Sequence, residues 1–233
     1  LRTGVRLDTI KAILAGGGPV PSNLVAECRE KGGRLFLTYG LTEMASQVCT
    51  TTDPDRISAS DDVGVVLPFR SVRIGDQREI LVRGETLFSG YLDGRRLEPA
   101  VDEDGWFHTG DVGEFNKYGH LVVLGRRDNM FVSGGENIHP EEIERALCLL
   151  PGVSRAVVVD VPDAEFGARP VAFIESSGEP LTIETVRAAL RDRLPGFKHP
   201  VAVYDYPEAL VGTLEKPTRR VLREIARERR GTG

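Results

Sequence analysis

The 233-residue chain is 40% hydrophobic and 28% charged, enough apolar material for a sizeable core in one domain or two and incompatible with disorder throughout. Its 30 basic and 35 acidic side chains leave a formal charge of -5, which removes any global electrostatic case for nucleic acid or an anionic membrane and favours small-molecule chemistry. Cys28, Cys49 and Cys148 are odd in number, widely spaced and without CxxC or His/Cys clustering, so they read as reduced thiols packed as small hydrophobes rather than as a disulfide framework or zinc site.

Residues 10–15 read as a buried strand, the run Gly16-Gly17-Gly18-Pro19 as a tight loop, and a helix is predicted from Ser22 with Leu24, Val25 and Cys28 on its apolar face. Gly32-Gly33 ends it, and residues 34–38 form the next strand, completing an α/β unit. Short β segments follow at 71–74, 79–83, 111–115 and 120–124, punctuated by turn signals that argue for a small antiparallel sheet or barrel. Asn116-Lys117-Tyr118-Gly119 is consistent with a hairpin carrying glycine at positive φ.

A second α/β pattern begins after Asp128. A strand at 130–132 leads to a glycine loop and a helix opened by Pro140, with Glu141 and Glu142 in its first turn and Ile143, Ala146, Leu147 and Leu150 on one face. Residues 156–161, 171–174 and 201–204 are β-rich, Thr182 caps a helix bearing Val186, Ala189, Leu190 and Leu194, and Val221, Leu222 and Ile225 mark a short last helix. The fold class is therefore α/β (mixed α+β), with a domain boundary between residues 127 and 128. From Lys216 to Arg230 there are seven basic and two acidic residues, read as a solvated helix face ahead of a phosphate-ligand or nucleic-acid surface.

No apolar run approaches the roughly 20 residues that cross a bilayer, and the opening Leu1-Arg2-Thr3-Gly4 has no signal-peptide hydrophobic region. A soluble, cytoplasmic protein without a membrane span is expected, with homo-oligomerisation left open. The chain starts on Leu1 and runs at once toward an apolar stretch, so further sequence upstream is expected.

Neither glycine loop fits GxGxxG or GxxxxGK[ST], so dinucleotide-fold and P-loop readings fail. A glycine loop between strand and helix still lets backbone groups approach a flat ligand, although each loop alone reads more readily as a turn than as a site. Tyr39-Gly40-Leu41-Thr42-Glu43 follows a strand, where open α/β sheets bind ligands. There Tyr39 can stack on a base, Thr42 can donate to phosphate and Glu43 can hold a hard cation such as Mg²⁺. In His108-Thr109-Gly110-Asp111 the carboxylate can accept from a ribose diol, and Arg126 can address the same sugar or its phosphate.

These pieces, with Gly125-Arg126-Arg127-Asp128, Ser133-Gly134-Gly135-Glu136-Asn137-Ile138 and Thr213-Leu214-Glu215-Lys216-Pro217-Thr218-Arg219, resemble in order the motifs of the adenylate-forming acyl-CoA synthetase superfamily. Residues 39–51, 131–144 and 161–173 are most similar to the o-succinylbenzoate:CoA ligases of menaquinone synthesis; medium- and long-chain acyl-CoA ligases are the runner-up. The match covers the last third of the large N-terminal domain (1–127, an α/β unit plus small β-barrel) and the whole small mobile C-terminal domain (128–233).

The resemblance implies an enzyme that activates a carboxylate with ATP and Mg²⁺ to an acyl-adenylate and passes the acyl group to coenzyme A. It implies Tyr39 and Gly40 at adenine, Thr42 at phosphate, Glu43 on Mg²⁺, and Asp111 with Arg126 on the ribose. Gly16, Gly17 and Gly18 would lie along adenine and acyl group, Lys216 would be catalytic at the carboxylate and α-phosphate, Asp128 would be the hinge, and Gly134 and Gly135 would face the pantetheine of coenzyme A. Two departures stand out: Glu215 replaces the usual glycine before Lys216, with Pro217 after it, and the Ser/Thr/Gly-rich phosphate loop ending in lysine is not in these residues. The chain alone is therefore expected to be inactive, and a non-catalytic nucleotide- or CoA-binding module is the alternative from another class.

Overall fold

The computed structural model describes residues 6–57, 62–178, 181–208 and 219–231. It divides into two compact units, Leu1–Asp128 and Asn129–Gly233.

In the first unit, β1 (Ile13–Ala15) runs parallel to β2 (Leu35–Leu41), with α1 (Ser22–Glu30) as the crossover. Val25 and Cys28 of α1 pack with Leu7, Leu35 and Leu37. The sheet continues antiparallel through β3 (Ser46–Thr50) and β4 (Val65–Val66), in the order β1-β2-β3-β4. The strand expected at 10–15 is shorter and less buried than its composition indicates, because β1 is an edge strand: Ile10 is 43% and Leu14 52% exposed.

The next strands are β5 (Arg70–Ile74) and β6 (Glu79–Gly84), a small hairpin of β7 (Tyr91–Asp93) and β8 (Arg96–Glu98), then β9 (Phe107–Phe115) and β10 (Leu121–Arg126). Their main sheet is antiparallel, ordered β10-β9-β6-β5. The sheet alternative holds, and among the described residues no ladder joins β10 to β5 to close a barrel. Gly119 takes φ 76° at the β9–β10 turn, as its place in the hairpin requires. Tyr39, Val48 and Cys49 from the first sheet, with Met44 from the turn between β2 and β3, share one core with Ile80, Val82, Phe107 and Leu121 from the second. Burial there pushes the Cys49 thiol up to about 12, consistent with a packed, unreactive side chain.

The second unit opens with a hairpin of β11 (Phe131–Ser133) and β12 (Glu136–Ile138). Gly134 and Gly135 are its two turn residues, at φ 59° and 86°, so the segment expected as a loop is a tight hairpin that needs positive φ twice. α2 (Pro140–Cys148) follows, then the long antiparallel pair β13 (Val153–Asp163) and β14 (Gly167–Ser176). After α3 (Ile183–Leu190), whose Thr182 cap accepts from the Thr185 amide, β15 (Ala202–Asp205) pairs parallel to β14. α4 (Arg219–Gly231) completes the unit.

Alternation along β14 explains its unbroken apolar run. Ala172 and Ile174 pack on the side of α2 and α3 with Ile143, Leu147, Val186 and Leu190, whereas Val171 and Phe173 pack with Leu222 and Ala226 of α4. A sheet covered on both faces has no polar side to alternate with.

The basic tail is not uniformly solvated, which corrects the composition-based expectation. Arg219 is 19% exposed and reaches Glu141 at 3.0 Å, while its other nitrogen binds Glu144. It also donates to the Val158 carbonyl at 2.6 Å, and Arg223 pairs with Asp160 at 2.7 Å. These arginines fasten α4 to α2 and β13.

Candidate active site

In the first unit a cleft of about 340 Å³ is lined by Leu41 at the end of β2, Glu43 just after it, Tyr91 of β7, residues 107–111 of β9 and residues 126–128 at and after the end of β10. The expectation that the strand ends at residue 38 is corrected: β2 continues through Tyr39, Gly40 and Leu41, which pair with Cys49, Gln47 and Ser46 across a register shift. A side chain at Gly40 would bring its Cβ within 1.9 Å of the Ser46 carbonyl oxygen, so glycine is what lets β3 turn back this closely. Gly40 is thereby a backbone-packing position.

Tyr39 is 9% exposed within the shared core, and its hydroxyl donates to Asp111 Oδ2 at 2.6 Å. Burial, reinforced by the Asp111 carboxylate, pushes its phenol far up, so it remains a donor at any physiological pH. Thr42 and Glu43 sit in a 3-10 turn, Thr42 exposed and Glu43 in the cleft wall. The Glu43 carboxylate accepts from Tyr91 at 2.8 Å.

Asp111 is the convergence point. Arg126 Nη1 donates to Asp111 Oδ1 and to the Thr109 carbonyl, both at 3.0 Å, and Arg126 Nη2 reaches Asp128 at 3.2 Å. The Asp111 amide donates to Thr109 Oγ1, whose hydroxyl donates to the Ile80 carbonyl at 2.7 Å. Partial burial is the largest single effect and opposes the Arg126 charge, but the Asp111 and Asp128 carboxylates together outweigh it and hold the guanidinium above its usual value. A carboxylate fixed by a phenol and a guanidinium, beside an exposed Asp128, is suited to accept from a diol.

Beneath this pair lies Glu79, which sequence reasoning passed over as one residue of a β segment. Its side chain is 6% exposed and takes Arg127 Nη1 at 2.9 Å, His108 Nδ1 at 3.0 Å and the Gly110 amide at 3.0 Å. The Glu79 hydrogen bond, with Asp102 on the other ring nitrogen, holds His108 above the ordinary imidazole range. Tyr91 was also missed, since no local pattern around it points toward Glu43.

The remaining expected residues lie apart from the cleft or outside the description. Gly16, Gly17 and Gly18 form an exposed loop after β1 and do not line it. Gly134 and Gly135 belong to the second unit, where Gly134 donates to the Phe166 carbonyl at 2.9 Å. Lys216 lies outside the described residues. Among the described residues no group of three His, Cys, Asp or Glu side chains could hold a metal ion. No helix among them is long and apolar enough to cross a membrane.

Comparison with known proteins meets this geometry. The AMP-binding enzyme model matches residues 2–92, and the AMP-binding enzyme C-terminal domain model matches residues 142–213. The 2-succinylbenzoate–CoA ligases of Salmonella typhimurium and Escherichia coli are 41% and 39% identical over 93% of this chain, and the match covers 46% of each of them. Among solved structures, an E. coli MenE variant with bound OSB-AMS superposes with a TM-score of 0.82 at 38% identity, covering 95% of this chain and 47% of that one. The Bacillus subtilis o-succinylbenzoate CoA synthetase (MenE) in complex with ATP and magnesium ion gives 0.72 at 33% identity, covering 84% and 42%. The chain spans about half the length of the relatives it matches. With the two AMP-binding enzyme models matched in succession and relatives matched along nearly its whole length, this chain belongs to the AMP-binding enzyme family.

Proposed function

We propose that this chain supplies the nucleotide cleft and the mobile domain of a cytoplasmic AMP-forming acid–thiol ligase acting on 2-succinylbenzoate in menaquinone biosynthesis. The observation that carries the reading is the Tyr39–Asp111–Arg126 constellation, set in a chain 41% identical to a 2-succinylbenzoate–CoA ligase. In the first step a substrate carboxylate oxygen attacks the α-phosphorus of ATP, forming the acyl-adenylate and releasing pyrophosphate. In the second, the coenzyme A thiol attacks the acyl carbon, forming the thioester and releasing AMP.

Within that scheme Asp111 accepts from the ribose hydroxyls while Tyr39 and Arg126 keep its oxygens aimed into the cleft. Tyr39 thus acts through Asp111 rather than by stacking. Thr42 would donate to phosphate, and Glu43 would hold Mg²⁺ through one carboxylate, supplying positive charge against the polyphosphate. Lys216 addresses the α-phosphate during adenylation. Residues 1–127 act as the C-terminal part of the large domain and 128–233 as the small domain turning at Asp128, which brings Gly134 and Gly135 to the pantetheine. The division of the fold immediately after Asp128 supports this hinge.

The test joins this chain to the part of the Salmonella ligase that it does not span. The joined protein is expected to catalyse ATP–pyrophosphate exchange most strongly with 2-succinylbenzoate, and the chain alone to give negligible exchange. Equal or better exchange with fatty acids would favour the medium- or long-chain ligase reading. Nucleotide binding without exchange by any acid would favour a non-catalytic module.

A further inference from the structure

Constraint on the chain changes abruptly at the end of the first unit. Arg126 is held by Asp111 and the Thr109 carbonyl, and Arg127 by the buried Glu79, whereas the next side chain, Asp128, is 72% exposed and pairs with Arg126 at 3.2 Å. Glu79 also holds the Gly110 amide, directly beside Asp111. One carboxylate therefore ties two segments that are distant in sequence: the loop that presents Asp111, and the last residue before Asp128.

We propose that Glu79 is a positioning residue that forms the fixed side of the hinge, binding the 108–111 segment and Arg127 into one body so that the ribose grip stays set while the chain turns at Asp128. The proposal rests on the hinge assigned to Asp128 above. Its physical basis is the contrast in environment. The three donors on Glu79 belong to the first unit and converge on a carboxylate largely shielded from water, where charge-assisted bonds are strong. The Arg126–Asp128 pair is solvent-exposed and easily exchanged for water. Rotation at Asp128 then breaks the weak contact and leaves the strong ones standing. Asp111 keeps the same orientation for both half-reactions, which a site serving two steps with one bound adenylate requires.

The experiment is residue-resolved amide hydrogen exchange on the whole 233-residue chain. Arg127→Met is expected to accelerate exchange about tenfold or more at residues 126–129 and also to perturb the Gly110 amide, because both bonds share one acceptor group. Arg127→Lys, which keeps a cation on Glu79, is expected to restore slow exchange. Glu79→Gln retains a carbonyl for Gly110 but loses the charge that holds Arg127, and is expected to free 126–129 more than 108–111. Arg127 is half-exposed, so its variants decide the matter even if Glu79 variants fail to fold. Changes confined to residues 126–129 in Arg127→Met, or no change at all, overturn the tie. The readout needs no turnover: loss of the exchange effect with ligase activity intact in the joined protein sinks only this proposal, and the converse sinks only the ligase reading.

Discussion

Replacing Arg219 with methionine is expected to destabilise the second unit by about 3–5 kcal/mol, the usual cost of removing one partner from a buried ion pair. The guanidinium is the cation that faces Glu141 and Glu144, whose side chains are only 7% and 12% exposed, and Asn129 adds a bond to Glu141 at 2.6 Å. The substitution leaves two nearly buried carboxylates facing each other, and α4 loses its anchor to the Val158 carbonyl. Urea unfolding followed by far-UV circular dichroism should show the loss, while fluorescence of Trp106, the single tryptophan, should report an unshifted first unit.

The pH dependence of this variant follows from linkage. Without the arginine, burial and the neighbouring Glu141 charge hold the folded-state Glu144 carboxyl further above its unfolded value, so the native form binds more protons across that interval. Stability then falls as pH rises from about 4.3, the unfolded glutamate value, through the raised folded value. The deficit against the unsubstituted protein should be smallest in acid and largest at neutral pH. A deficit independent of pH would mean that Arg219 acts only through packing.

In the joined ligase, Lys216→Ala is expected to lower acyl-adenylate formation by about 10²- to 10³-fold, as loss of a preorganised charge at a reacting centre does elsewhere. Transfer to coenzyme A from supplied 2-succinylbenzoyl-adenylate should be nearly unaffected, because that step builds no new charge at the α-phosphorus. Lys216 lies three residues before Arg219 in sequence, with Glu215 and Pro217 beside it departing from the superfamily pattern. Rapid single-turnover measurement of the two half-reactions separates them; equal loss in both would assign Lys216 to something other than adenylation.

Much of this was legible in the residues because the signals were local. Gly32, Gly119, Pro140 and Thr182 punctuate the chain where helices and hairpins start or stop, and the order of motifs identified the superfamily. The failures are tertiary. Whether Tyr39 stacks or is buried depends on the second sheet packing over β2, which no local pattern encodes. Whether Arg219 is solvated depends on acidic residues brought together from α2, far earlier in the sequence. Glu79 looks like any strand glutamate until the register of β6 against β9 places it under Gly110. Gly134-Gly135 reads as a loop because a hairpin with three-residue strands has too little periodicity to register.

Asp111 is the group proposed to receive a nucleotide sugar, and titrating AMP into the isotope-labelled chain tests this most directly. Shifts should concentrate on Gly110, Asp111 and Arg126, and should disappear in Asp111→Asn while the rest of the spectrum is preserved. Saturable shifts that centre on another surface, or that persist unchanged in Asp111→Asn, would contradict it.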